Sequence, residues 1–242
     1  MPGNFHDNAR MTANWMGAPV RAVLFDLDGT LLDTAGDIAL ALQRAFADHG
    51  QAGPQLEEVR CMIGRGAPML IERACKSRAL GWSTTQREAV LERFFHHYGA
   101  LHSNHESVAQ PYDGVHEALQ TLHAQAIPMA VVTNKQHRFA VDLLVHLELD
   151  AYMRVVVGGD TCERRKPDPQ PLQWACAQLG IPVDHSVMVG DSINDVQAAR
   201  SAGMRVVCVP YGYNEGQDPR QLPCDQLVDS LSALPALWGV AA

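Results

Sequence analysis

Two carboxylates two residues apart, Asp26 and Asp28, close the apolar run Val23-Leu24-Phe25 and are followed at once by Gly29 and Thr30. An apolar run of this kind reads as a buried strand, and a buried strand that delivers acids at its own end suits chemistry better than packing. Side chains alternate along a strand, so positions 26 and 28 share a face where it ends and can converge on one cation or one phosphate. A strand closed by an Asp-Gly turn also occurs where no chemistry happens, so the segment is informative only with support from elsewhere in the chain. Three segments give that support, in order. Met129-Ala130-Val131-Val132 is a second short apolar run, ending in the hydroxyl of Thr133 and the amide of Asn134 before Lys135. Lys166 stands in Arg164-Arg165-Lys166-Pro167-Asp168-Pro169, ahead of a proline-rich helix start. Val187-Met188-Val189-Gly190 is a third apolar run, and it ends in Asp191 with Asp195 four residues on. Each segment has a structural use as well: Thr133-Asn134 as a strand-to-helix cap, Lys166 as a solvated lysine, Asp191 and Asp195 as one face or the cap of a helix start.

The elements that must position these residues follow from periodicity. Apolar strand candidates at 20–26, 128–133, 153–157, 186–190 and 204–209 alternate with amphipathic helices near 136–147, 169–179 and 193–202. This alternation predicts an α/β fold, a doubly wound parallel sheet covered by helices on both faces. Such sheets bind ligands at the carboxyl ends of their strands, where three of these runs deliver a motif and where Lys166 can reach. Residues 36–108 break the pattern with helical period and no convincing strand. They are expected to form an inserted helical cap, jointed near Thr34–Asp37 and Gln110–Gly114, with 20–35 and 109–242 as the α/β core. Residues 1–19 show no usable period and are expected to be a loose leader, with Met11 or Met16 as alternative starts.

The four segments together resemble the haloacid dehalogenase-like hydrolases, and the likeness runs from Asp26 to Asp195. The resemblance implies a Rossmann-like core with an inserted cap and a Mg²⁺-dependent phosphatase working through an aspartyl-phosphate. It implies Asp26 as the nucleophile and Asp28 as the acid that protonates the leaving oxygen and then activates water, a role that needs a raised pKa. Mg²⁺ prefers oxygen ligands, and Asp26, the backbone carbonyl of Asp28 and Asp191 would hold it, with Asp195 in or just outside that shell. Gly29, Thr133 and Asn134 would cradle the phosphoryl oxygens through backbone N–H groups and the Thr133 hydroxyl, and Lys166 would add a fixed positive charge.

Within the family the likeness is to the phosphoglycolate phosphatases, carried by Ile63-Gly64-Arg65-Gly66-Ala67, by Thr133-Asn134-Lys135 and by Val209-Pro210-Tyr211-Gly212-Tyr213-Asn214. It implies a small acidic phosphorylated metabolite, 2-phosphoglycolate, with Arg65 pairing with the carboxylate beyond the phosphate. Arg65 departs from the commoner Asn at that position. Phosphatases of sugar phosphates such as N-acetylmuramic acid 6-phosphate share the four motifs and differ mainly in the cap. A non-catalytic receiver-like module also gathers acids and a lysine around Mg²⁺, but it has about half this length and no helical insertion.

Composition bounds the rest. With 19 Lys and Arg against 27 Asp and Glu, the net charge is -8 and the pI about 5.7, which argues against nucleic acid as a partner. No apolar run approaches the ~20 residues of a membrane span, and a cytoplasmic monomer or homodimer is expected. Six cysteines, at 61, 75, 162, 176, 208 and 224, form no C-x-x-C pair and read as reduced core residues. His96, His97, His102 and His105 lack metal-ligand spacing.

Overall fold

A computed structural model describes residues 13–239 of the chain. It opens on a hairpin, β1 (Asn14–Trp15) paired antiparallel with β2 (Ala18–Pro19). Residues 14–19, expected in a loose leader, are instead tied to the body of the protein. Asn14 N–H donates to Trp238 O, Trp15 is buried, and the Arg205 guanidinium donates to the carbonyls of Trp15, Ala18 and Pro19. Strands of two residues carry no period, which is why the sequence hides them. Residues 1–12 of that expected leader, Met11 included, lie outside the described residues.

The chain continues through β3 (Ala22–Phe25), β4 (Leu32–Asp33), α1 (Ala35–Ala47), α2 (Leu56–Arg60), α3 (Ala67–Ser77), α4 (Thr84–Ser103), β5 (Gln110–Pro111), α5 (Val115–Ala124), β6 (Met129–Val132) and α6 (His137–His146). Next come β7 (Met153–Val157), α7 (Gln170–Leu179), β8 (Ser186–Gly190), α8 (Ile193–Ala202), β9 (Arg205–Cys208), β10 (Gln226–Leu227) and α9 (Leu234–Leu237). Five of these elements go unread in the sequence, the short β4, β5 and α9 together with α5 and β10. Helix α5 does place Val115, Ala118, Leu119 and Leu122 at helical spacing, and all four are buried; β10 is again too short to show a period.

The main sheet has six strands in the order β10-β9-β8-β3-β6-β7, every neighbouring pair parallel. Every residue of β3, β6 and β8 is buried, as strands covered on both faces must be. The alternation is visible in the two layers. Val23, Phe25, Met129, Val131, Val187 and Val189 pack with α5 and α6, whereas Ala22, Leu24, Ala130, Val132 and Met188 pack with α7 and α8. From β3 the order runs outward through β6 to β7, then crosses to β8 on the other side of β3. That reversal opens a crevice at the carboxyl ends of β3 and its neighbours.

Helices α1 to α4 build a separate apolar cluster. Ile38, Leu42 and Phe46 of α1 meet Leu70 and Ile71 of α3 and Val90, Phe94 and Tyr98 of α4, and Phe139 and Tyr213 join them from outside these helices. The segment leaves and returns through one antiparallel ribbon, Leu32 opposite Pro111 and Asp33 opposite Gln110. No helix among the described residues is long and apolar enough to cross a membrane.

One side chain, Arg205, binds three carbonyls of the hairpin, so Arg205→Ala tests its share of the attachment. A guanidinium bound to several carbonyls contributes about 1–3 kcal/mol, and its loss is expected to lower the unfolding temperature by roughly 3–8 °C in a chain of this size. An unchanged melting curve would mean that the hairpin is held by other contacts.

Candidate active site

The motifs meet at the carboxyl edge of three adjacent strands. Asp26 follows β3, Thr133 follows β6 and Asp191 follows β8, while Lys166 comes from the loop after β7. Oxygens of Asp26, Asp191 and Asp195 lie within 4.8 Å of one another, and all three residues are buried. Among the described residues this is the only cluster of His, Cys, Asp and Glu with that geometry. Lys166, itself buried, bridges two of the acids at 2.9 Å to Asp26 Oδ1 and 2.7 Å to Asp195 Oδ1.

Each acid has a different set of partners. Asp26 Oδ1 also accepts from Leu27 N–H at 2.7 Å, and no described hydrogen bond uses its Oδ2. Asp191 accepts from the Thr30 hydroxyl at 2.9 Å and from Tyr213 N–H at 2.6 Å. Asp195 is the third residue of α8 and forms a capping box with Ser192, its Oδ2 accepting from Ser192 N–H at 3.1 Å and from the Ser192 hydroxyl at 2.8 Å. The capping use of Asp195 and its place in the acid cluster therefore coexist. Glycine makes room for this packing. A Cβ at Gly29, where φ is 88°, would stand 2.4 Å from Asp191 Oδ2, and one at Gly212 would stand 2.3 Å from the same atom.

The electrostatics follow from burial. Desolvation pushes Asp26 up to about 7, with Lys166 partly offsetting it and Asp195 adding to it. Asp191 is raised well above the usual carboxylate range, first by burial and then by Asp195 and Asp26. Burial works against the Lys166 ammonium, but Asp195 and Asp26 override it and hold its pKa above the ordinary lysine value. Three buried carboxylates with one lysine leave a site short of positive charge. Their hard oxygen donors suit a divalent cation such as Mg²⁺.

Asp28 leaves this cluster. Its carboxylate takes the Lys135 ammonium at 2.9 Å and 3.2 Å and the Thr34 hydroxyl at 2.6 Å. Lys135 is half-buried, its side chain 8% exposed and its ammonium 4.6 Å from the centre of the Tyr98 ring, and Asp28 and Tyr98 hold its pKa above normal against the opposing effect of desolvation. The sequence offers Lys135 only as part of a motif, and its partner is hidden because Asp28 is 107 residues away.

Several expectations change. Gly29 N–H donates to Leu32 O and Thr133 N–H to Val157 O, so the turn and the sheet occupy two of the expected phosphate donors. Asn134 N–H has no partner among the described residues. The Asn134 side chain instead donates to Gly64 O and Lys166 O, both at 2.9 Å, joining the segment before α3 to the loop after β7. Arg65 faces Glu215 at 3.1 Å, not the cavity described below, because Glu215 gathers it together with Arg73 at 2.8 Å. The cysteines are all free, as read, but only Cys75, Cys176 and Cys208 are buried.

A cavity of about 150 Å³ lies over this edge. Asp26, Asp28, Thr133, Asn134 and Lys135 line its floor side, and Ile63, Gly64, Gly66, Leu91 and Phe94 line it from the helical segment. A carboxylate at the strand end with one oxygen free, a second carboxylate held by a lysine, an acid cluster that suits a cation and a small adjoining cavity together fit transfer of a phosphoryl group.

A family model described as haloacid dehalogenase-like hydrolase matches residues 23–209. The chain belongs to that family. It is 41% identical over 215 residues to a phosphoglycolate phosphatase of Thiobacillus denitrificans, covering 88% of this chain and 93% of the relative. It is 43% identical over 219 residues to a plasmid phosphoglycolate phosphatase of Cupriavidus necator, covering 90% and 93%. Among solved structures, a predicted phosphoglycolate phosphatase from Haemophilus somnus 129pt superposes with a TM-score of 0.84 at 31% identity, over 90% of this chain and 97% of that one. Family membership with these relatives makes the chain a phosphoric monoester hydrolase.

The buried acids generate a test that does not need turnover. Folded Asp26 takes up its proton at about 7 and the unfolded residue at 3.8, so between those values the folded state holds a proton that the unfolded chain lacks. Stability without a cation therefore falls as pH rises through this window and stays low above it. Mg²⁺ at a hundredfold excess over its dissociation constant is expected to raise the unfolding temperature by on the order of 5–10 °C at pH 8. The increment should be smaller at pH 5.5, where protons compete, and absent in Asp191→Asn. Equal increments at both pH values, or survival of the effect in Asp191→Asn, would put the cation elsewhere.

Proposed function

We propose that this hydrolase converts 2-phosphoglycolate to glycolate and phosphate, with Mg²⁺ as cofactor and a phosphorylated Asp26 as intermediate. The observation that carries the reading is the cavity, in which Asp26 and Asp28 share a space of about 150 Å³. Space of that size holds a molecule of roughly six to ten heavy atoms; an apolar cavity of the same volume takes up benzene. It suits a phosphorylated two-carbon acid and is small for N-acetylmuramic acid 6-phosphate. The names of the relatives support the same substrate.

Asp26 Oδ2 attacks phosphorus while Oδ1 stays held by Leu27 N–H and Lys166. The bond from phosphorus to the glycolate oxygen breaks, and Asp28 gives that oxygen its proton. Water then attacks the aspartyl-phosphate, Asp28 takes the water's proton back, and phosphate leaves with Asp26 restored. Asp26, Asp191 and the carbonyl of Asp28, with Asp195 beside them, would hold Mg²⁺, which when bound neutralises charge on the transferring oxygens. Lys166 fixes the nucleophile, and the Asn134 N–H with the Thr133 hydroxyl faces the phosphoryl group. Lys135 positions the Asp28 carboxylate. The helical segment covers the site and limits access of bulk water.

Asp26→Asn should reduce turnover of p-nitrophenyl phosphate below about 1% of the parent with the fold intact, and EDTA should do the same to the parent protein. Activity above that level in Asp26→Asn would refute the nucleophile. Lys135→Met should lower kcat by about 10²-fold for an ester with a poor leaving group and by much less for p-nitrophenyl phosphate, since general-acid help matters only when the leaving oxygen is basic. Equal losses for both esters would show that Lys135 does not act through Asp28.

A further inference from the structure

Five charged side chains line the cavity: Asp26, Asp28, Lys135, Asp160 and Arg165. Four of them are engaged. Asp26 holds Lys166, Asp28 holds Lys135, and Asp160 Oδ1 accepts from His137 N–H at 2.7 Å at the start of α6. The Arg165 guanidinium alone makes no hydrogen bond or ion pair with another described residue, its backbone carbonyl accepting from Asp168 N–H at 2.9 Å. Its chain neighbours differ, since Arg164 pairs with Asp168 at 3.1 Å and Lys166 lies between two acids. The Arg165 guanidinium is turned toward the loop before α3, where a Cβ on Gly66 would stand 3.0 Å from Nη1 and 2.9 Å from Asn134 O. Arg165 therefore offers its charge at the wall shared by Gly66 and Asn134, both of which line the cavity.

We propose that Arg165, and not Arg65, recognises a second acidic group on the substrate, so that the site selects phosphate monoesters of small hydroxy acids. The proposal rests on the phosphatase reading above and deepens it. A planar guanidinium matches a carboxylate through two parallel N–H···O contacts, a geometry that an ammonium such as Lys135 does not provide. Arg65 is unsuited to the role because Glu215 already neutralises it and it does not line the cavity. Phosphoryl oxygens and the remote acid would then be bound by different groups: the Thr133–Asn134 edge for the first, Arg165 for the second. Gly66, at φ 80°, carries no Cβ to stand against Asn134 O at 2.9 Å or Arg165 Nη1 at 3.0 Å, which leaves the guanidinium room at this wall.

The test compares kcat/KM for 2-phosphoglycolate with that for ethyl phosphate, which has a methyl group in place of the carboxylate. In the parent protein with Mg²⁺ the acid should be preferred. In Arg165→Met the ratio of the two constants should fall by about 10- to 100-fold, the range for loss of a charge-assisted contact, through KM for 2-phosphoglycolate and not through kcat. Arg165→Lys should recover part of the ratio, and Arg65→Ala should leave it within about twofold. Arg165 is exposed, so these variants keep the core intact. An unchanged ratio in Arg165→Met, or an equal fall in Arg65→Ala, would overturn the assignment. A parent protein that hydrolyses both esters equally well would also overturn it while leaving the phosphatase reading standing. A folded parent protein that hydrolyses neither would instead overturn the phosphatase reading on which the assignment depends.

Discussion

Three carboxylates with little access to water, sharing one ammonium, set the terms for everything else in this protein. Taking Asp26, Asp191 and Asp195 out of water is unfavourable for their charged forms, and Lys166 touches only two of them. The site is tolerable because its surroundings supply dipoles: Thr30 and Tyr213 N–H for Asp191, the opening turn of α8 for Asp195, Leu27 N–H for Asp26. Those donors fix the carboxylates in direction as well as in energy. A cation at such a site would meet ligands already oriented, and the charge deficit of the three acids would favour its binding.

Tyr213 extends that order to the joint of the helical segment. Its N–H binds Asp191, while its hydroxyl accepts from Thr34 N–H at 2.9 Å and Ala35 N–H at 3.0 Å and donates to Asp33. The first turn of α1 thereby gains the acceptor that its own N-cap residue does not provide. Arg60 closes the arrangement by pairing with Asp33 at 3.1 Å. One residue thus links a carboxylate of the acid cluster to the place where the helical segment leaves the sheet. Any swing of that segment about Asp33 and Thr34 works against hydrogen bonds anchored beside the acids.

Much of this arrangement was legible in the amino-acid order, for a physical reason. Strands buried on both faces must be uniformly apolar, so Asp26, Thr133 and Asp191 stand out at their ends, and parallel topology alone brings those ends to one edge. What stayed hidden depends on contacts that no local pattern encodes. Lys135 meets Asp28 across 107 residues, and Arg65 meets Glu215 across 150. Gly29 looked like a phosphate-binding glycine, yet its N–H closes the turn onto Leu32 O and its missing side chain is what admits Asp191. The hairpin at 14–19 and strand β10 were too short to show any period.

Asp26 and Asp28 stand two residues apart on one face, and two like charges so placed would ordinarily compete for a single proton or a single cation. The fold resolves this by giving each its own lysine from a different strand end: Lys166, from the loop after β7, reaches Asp26, and Lys135, just past β6, reaches Asp28. The two ammonium groups pull the carboxylates toward different neighbours. In the proposed reaction the nucleophile must stay ionised beside the cation while the acid gives and regains a proton. A shared lysine would couple those tasks, since every proton moved at Asp28 would alter the charge felt at Asp26. In that proposed reaction separate partners, Lys166 with 1% and Lys135 with 8% of its side chain exposed and both therefore weakly screened, would let the proton cycle at Asp28 proceed while Asp26 stays committed to phosphorus.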